Sequence, residues 1–242
     1  MKSNRFDAVR RFAAVGSTND VAAALPAGSV VVADQQTAGR GRRGHTWFSP
    51  PRAGLYVSVV LAPAAARVDP PRATMLLTLA GGVAIAEGVE AATGLTADLK
   101  WPNDLLVSGK KLCGILAEGS GQTVVLGYGI NVLESAFPPE LRDRATSLQT
   151  ELGRVVERDA VLDETLAALS RRYDDLVDGR FDAILDAWRR RAPRASGARV
   201  TWTTIEGTRS GITAGIDDRG ALLVRIEEDR VERIVSGELS WL

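Results

Sequence analysis

The sequence predicts an α+β protein: a mixed, mainly antiparallel sheet with flanking helices, followed by a small C-terminal β-barrel. Three observations carry this. Short apolar, β-branched runs recur between residues 29 and 130, several of them joined by turns too tight for helical crossovers. Stretches with helical spacing occupy 69–94 and 159–191. After Pro193 the pattern changes to short strands separated by Gly- and Asp-containing turns. This change divides the chain into a larger unit, 1–193, and a small one, 194–242.

Taken in order, Gly16-Ser17-Thr18-Asn19-Asp20 reads as an N-cap string before a short helix at 21–25. The same three short polar side chains could instead serve a small polar ring. Residues 29–33 and 55–62 are buried strands, and Gln35-Gln36 closes the first of them. Asp69-Pro70-Pro71 supplies an N-cap and a first-turn proline for a long helix ending near Thr93-Gly94. Its Thr78, Gly81, Gly82 and Ala86 form a small-residue face suited to close packing on a sheet. Strands follow at 97–101, 105–118 (broken at Ser108-Gly109) and 123–130, with a hairpin turn at 119–122. Residues 134–150 lack a period, contain Pro138-Pro139, and read as an irregular loop. Apolar positions 162, 166, 169, 173 and 176 make 159–177 an amphipathic helix. A second helix over 181–191 aligns Phe181, Ile184, Leu185 and Trp188. The barrel strands are 198–204, 210–216, 221–227 and 230–235, with turns at Glu206-Gly207, 217–220 and Glu228-Asp229.

Composition removes several function classes. Lys+Arg and Asp+Glu are 30 each, so no global field favours nucleic acid or a membrane surface. One cysteine, Cys113, excludes an internal disulfide framework and fits a reducing compartment. With His45 the only histidine, neither a His/Cys zinc site nor a Ser-His-Asp triad fits. Residues 1–11 are charged and lack the apolar core of a secretory peptide. The longest charge-free helical stretch, 73–86, is shorter than the roughly 20 residues of a membrane span. A cytoplasmic protein is expected.

Two strings carry chemistry. Gly39-Arg40-Gly41-Arg42-Arg43-Gly44 runs into Trp47-Phe48. Glycine lets backbone N–H groups approach an anion, arginine adds a fixed cationic fork, and the aromatics offer a stacking surface. Disordered RNA-binding tails share such Gly/Arg runs, but this one lies inside a globular sequence. The second string is Lys100-Trp101-Pro102-Asn103-Asp104. A lysine at a strand end can steady a phosphate or a developing oxyanion, or simply mark a sheet edge. Gly127-Tyr128-Gly129-Ile130-Asn131 ends a further strand, where the glycines permit close approach or mark a bulge.

Read together, Ser17-Thr18-Asn19, Gln36, residues 39–44 with Trp47, Lys100 to Asp104, Gly114-Ile115-Leu116 and Gly127 to Asn131 resemble the biotin–protein ligases. The resemblance covers roughly residues 10–135, and the small barrel fits that family's usual tail. It implies a class II synthetase-like catalytic domain with an SH3-like barrel. It also implies two-step chemistry through biotinyl-5′-AMP, with biotin and ATP as substrates and Mg²⁺ accompanying ATP. By resemblance Ser17, Thr18, Asn19 and Gln36 lie at the biotin head group, with backbone of Gly114 and Leu116 beside them. Arg40, Gly41 and Arg42 would close over biotin's tail and the α-phosphate, and Arg42 would retain the adenylate. Lys100 would contact the carboxylate and the phosphates, with Asp104 supporting it. Trp47 would stack on adenine, and Asn131 would approach the nucleotide.

No metal-ligating residues are expected. The implied acceptor is a biotin carboxyl-carrier domain of an acyl-CoA carboxylase. Only 16 residues precede Ser17, which implies a ligase without DNA binding. No membrane partner is expected, and the protein should be a monomer or a weak, ligand-promoted homodimer. Lys110, Lys111 and His45 read as structural or surface residues, and Cys113 as strand core. Lipoate–protein ligase and a nucleic-acid-binding regulator are the alternatives.

Overall fold

Alternation along each strand decides which residues meet the helices and which form the opposite face. A computed structural model describes residues 5–6, 8–204, 207–227, 230–237 and 239–241. In chain order the first unit contains β1 (Val9–Phe12), α1 (Thr18–Ala23), β2 (Val30–Ala33), β3 (Gly54–Leu61) and α2 (Pro70–Thr93). It continues with β4 (Asp98–Lys100), β5 (Asp104–Val107), β6 (Lys110–Ser120), β7 (Thr123–Asn131), α3 (Leu148–Leu152), α4 (Arg158–Val177) and α5 (Phe181–Arg191). Then come β8 (Ser196–Thr204), β9 (Gly207–Ile216), β10 (Leu222–Glu227), β11 (Arg230–Ile234) and β12 (Leu239–Trp241). A seven-stranded sheet has the order β1-β2-β3-β7-β6-β5-β4, and a five-stranded sheet the order β11-β10-β9-β8-β12. Among the described strand pairs of the large sheet, β1–β2 is parallel and the others are antiparallel.

The large sheet is covered on both faces. One face presents Leu55, Val57, Val59, Leu99, Leu105, Ile115, Leu126 and Ile130 to the main core. Helix α2 lies against it, and its glycines set the distance: a Cβ on Gly81 would meet Leu126 at 2.9 Å, and one on Gly82 would meet Leu99 at 3.3 Å. Asp69 caps α2 by accepting from Arg72 N at 3.1 Å, Pro70 opens it, and Gly94 ends it at φ 78°. This helix is long and apolar enough to cross a membrane by composition, but 67% of the relevant window is buried inside the fold. Helix α4 packs behind it, so closely that a Cβ on Gly88 would lie 2.4 Å from Thr165 Cα. The other face of the sheet receives α1, where Ala22 packs with Val31, Val60 and Val125.

Several boundaries differ from the sequence pattern. Strand β1 went unpredicted because Val-Arg-Arg-Phe shows no alternation, and its charges suit an exposed edge. Helix α1 starts at Thr18, three residues earlier than the pattern indicates, with Ser17 at the N-cap making no side-chain cap bond. The expected loop over 134–150 contains two 3-10 turns and α3, which Ser147 caps by accepting from Thr150 N. The predicted breaks at Ser108-Gly109 and Gly121 are turns with positive φ (51°, 79° and 61°). The Glu206-Gly207 and Glu228-Asp229 turns involve residues outside those described.

The C-terminal sheet is antiparallel throughout, with register shifts of the kind that curl a small sheet into a barrel. Its Val200, Trp202, Leu222, Val224 and Leu239 belong to the same contiguous core as the large sheet. Two bonds to the turn between β9 and β10 fix the join: Trp101 Nε1 donates to Gly220 O at 3.0 Å, and Arg72 Nε donates to Asp218 O at 2.8 Å.

Candidate active site

The face of the large sheet that carries α1 also carries the motif residues. Cross-strand partners share a face, and Gly129 pairs with Gly114, Gly114 with Asp104, and Asp104 with Lys100. A parallel row runs through Ser58, Gly127 and half-buried Leu116. The glycines make this face a shallow floor.

At one end of the floor the start of α1 forms a buried polar cluster. Gln36 Oε1 accepts from Thr18 N at 2.9 Å and from Thr18 Oγ1 at 3.0 Å, while its Nε2 donates to Ser49 Oγ at 2.9 Å. Ser58 Oγ donates to Asn19 Oδ1 at 2.6 Å, and Asn19 Nδ2 donates to Glu118 Oε2 at 2.6 Å. Ser17, Thr18, Asn19 and Ser58 are all buried. A Cβ on Gly127 would lie 2.2 Å from Asn19 Oδ1, so only glycine lets α1 sit this low.

The Gly/Arg string folds back on itself over the floor. Gly41 N donates to His45 O at 2.7 Å, and Trp47 N donates to Gly39 O at 2.9 Å. The Trp47 indole therefore rests on the glycine pair: a Cβ on Gly129 would be 2.3 Å from its Nε1, and one on Gly114 would be 2.9 Å from its Cζ3. That indole N–H is buried and meets no acceptor among the described residues. Arg42 Nη1 donates to Asn103 Oδ1 at 3.3 Å, joining the two sequence strings. Arg40 grips Asp20 at 2.7 and 2.8 Å and Glu118 at 3.1 Å, which ties the loop to α1 and β6. The Arg40 hydrogen bond holds the Asp20 carboxyl below its usual pKa range.

The lysine against Trp47 is Lys111. Its Nζ lies 5.4 Å from the indole centroid and 2.7 Å from Asp104 Oδ1. Lys100 stands one strand beyond Asp104, on the sheet edge, with its Nζ 5.9 Å from the ring of Trp241. Burial pushes the Lys100 ammonium below its usual pKa; Asp104 opposes this, and Lys111, Arg194 and Arg144 reinforce it. Lys100 thus sits among three further cations, with the Asp104 carboxylate opposing them.

Lys111 thus stands on the floor between Trp47 and Asp104. Strict alternation from Gly114 would put Leu112 on the floor. Instead Leu105 pairs with Cys113 and Leu106 with Lys111, a bulge that sends Leu112 into the core and Lys111 onto the floor. Asn131 lies directly behind this strand. It is buried, and its amide donates to Lys111 O at 3.3 Å and Thr146 O at 3.0 Å, so it anchors the Lys111 strand. Cys113 is strand core as expected.

The profile of the biotin/lipoate A/B protein ligase family matches residues 14–133, and that of the biotin protein ligase C-terminal domain matches 195–240. A biotin–[acetyl-CoA-carboxylase] ligase of Paracoccus denitrificans is 36% identical over 216 residues, covering 85% of this chain and 87% of the relative. This chain belongs to the biotin protein ligase family. A bifunctional ligase/repressor BirA of Bacillus spizizenii is 39% identical over 221 residues, which span 88% of this chain and 66% of that relative. The biotin protein ligase of Aquifex aeolicus in complex with biotin and ATP aligns with a TM-score of 0.85 and 31% identity, covering 98% of this chain and 99% of that one.

Within this ligase family member, the first matched segment contains every floor and loop residue described above. Arg194 and Trp241 fall just outside the second. Among the described residues no group of three His, Cys, Asp or Glu converges to hold a metal ion.

Proposed function

We propose that the chain is an ATP-dependent biotin–protein ligase. It joins biotin and ATP into biotinyl-5′-AMP and pyrophosphate, then transfers biotin to a lysine of a carboxyl-carrier domain of an acyl-CoA carboxylase. One observation carries this reading: a buried polar cluster and a cationic cluster lie on one glycine floor. Biotin's ureido ring is a polar group that must find matched donors and acceptors when buried. Thr18, Asn19 and Gln36 supply them beside Gly127 and Leu116, with Ser17 at the same helix start.

The first step brings a carboxylate and the α-phosphate together, a barrier dominated by repulsion between anions. Lys111 is the group we place against both, because it stands between Trp47 and Asp104. Lys100 and Arg42 add charge on the phosphate side, while Arg40 and Gly41 hold the loop over biotin's tail. Trp47 supplies the stacking surface for the adenine. Mg²⁺ enters with ATP, held mainly by phosphate and water oxygens. In the second step the acceptor lysine's free amine attacks the mixed-anhydride carbonyl. The acyl–oxygen bond breaks, AMP leaves, and the amine releases a proton.

The proposed setting is cytoplasmic, and the proposed state a monomer or a weak, ligand-promoted homodimer. The test incubates the protein with Mg-ATP, a carrier domain, and either biotin or lipoate. A mass increase of the carrier lysine with biotin alone is expected. Modification with lipoate alone would transfer the protein to the lipoate branch, and no modification with either would overturn the ligase reading.

A further inference from the structure

The C-terminal sheet reaches the cationic end of the floor through one side chain. Trp241 lies on β12, paired with Val200 of β8. Lys100 Nζ is 5.9 Å from its ring centroid, and Arg194 Cζ is 5.4 Å from it. The Trp241 N–H is buried with no hydrogen-bond partner among the described residues. The ring is therefore held through its faces rather than through its polar edge.

What it holds matters for charge. Lys100 is crowded by Lys111, Arg144 and Arg194, and Asp104 is already ion-paired with Lys111. A second carboxylate would steady Lys100 but cancel its charge toward an incoming anion. An indole face attracts a cation through its quadrupole and leaves the charge intact. It also fixes the flexible lysine stem, whose ordering would otherwise oppose binding.

We infer that Trp241 is a positioning residue of the C-terminal sheet that holds Lys100 and Arg194 ready for the phosphate chain of a nucleoside triphosphate. This rests on the ligase reading for the reaction it serves, but its binding consequence can be measured separately. Nothing places Trp241 against the biotin end, where the contacts belong to α1, Gln36 and Ser58.

The test uses the full chain and its W241L, W241F, K100M and W241L/K100M variants. Calorimetry measures Mg-ATP and biotin binding, and biotin-dependent pyrophosphate exchange is followed in parallel. W241L should weaken Mg-ATP about tenfold and change biotin affinity less than about twofold. W241F keeps an aromatic face and should recover most of the loss, which also controls for failure to fold. In the K100M background the leucine substitution should weaken Mg-ATP by no more than about threefold, the share left to Arg194. Unchanged Mg-ATP affinity in W241L, equal losses for both ligands, or the full loss persisting in K100M would overturn the inference. If the wild type binds Mg-ATP in a Trp241-dependent way without biotin-dependent exchange, the ligase reading fails and the inference stands. A wild type that binds no Mg-ATP removes both.

Discussion

Lys111 and Lys100 bracket the same carboxylate, yet their surroundings assign them different tasks. Lys111 touches the indole that covers the floor and is fixed from behind by Asn131, whose amide holds its carbonyl. K111M should therefore reduce biotin-dependent pyrophosphate exchange at least about 100-fold, the scale of losing a preorganised charge in a closed site. K100M should act mainly through the KM for Mg-ATP. Steady-state kinetics of the two variants check this, and a K111M enzyme with near-normal exchange would return the central role to Lys100. The site was only partly legible for a local reason. Thr18, Asn19, Gln36 and the two strings could be read from residue type and order. Lys111 could not, because a single bulge inverts the face on which it stands, and a bulge leaves no mark on hydrophobic alternation.

Among the elements, α2 shows how backbone spacing replaces side-chain volume. Gly88 stands where a methyl group would meet the Thr165 backbone of α4 at 2.4 and 2.6 Å. A helix backbone cannot swing aside as a side-chain tip can, so G88A should destabilise the fold by about 2 kcal/mol despite alanine's better helix propensity. Urea denaturation checks this; an unchanged or raised midpoint would show that α2 and α4 can separate without loss.

The turn joining β9 to β10 gives a pH signature. Burial raises the Asp217 pKa, but hydrogen bonds from Ala221 N, then Arg233 and Arg219 N, outweigh it and hold the carboxyl below its unfolded value. The sign follows from linkage. The contribution is fully present above the unfolded value of about 3.9 and is lost as pH falls through the lower, folded one. D217N should therefore lower the thermal midpoint at neutral pH and match the wild type in strong acid; a gap of equal size at both pH values would contradict the assignment. Elements with their own signals were readable in advance, α2 with its aspartate cap and closing glycine above all. β1 and β12 were not, since three or four residues carry too little pattern and both gain their place by pairing.

At the scale of the whole molecule, the two sheets meet where the chemistry is proposed, not at a distant linker. The last residue of β4 and the residue after it form part of the join: Lys100 faces Trp241, and Trp101 donates to Gly220. The second of these contacts links residues 119 positions apart in the chain. Composition could indicate two pattern types and a change after Pro193, but not that the second unit would bring Trp241 beside Lys100.

That join has a consequence for how the protein is made. Strand β12 leaves the ribosome after the glycine floor, the arginine loop and both lysines. Until it emerges, the β4 edge lacks its indole, and Lys100 is free to sample solvent. In the order of synthesis, the residues proposed to hold the small ring therefore precede the indole proposed to steady the phosphate-side cations.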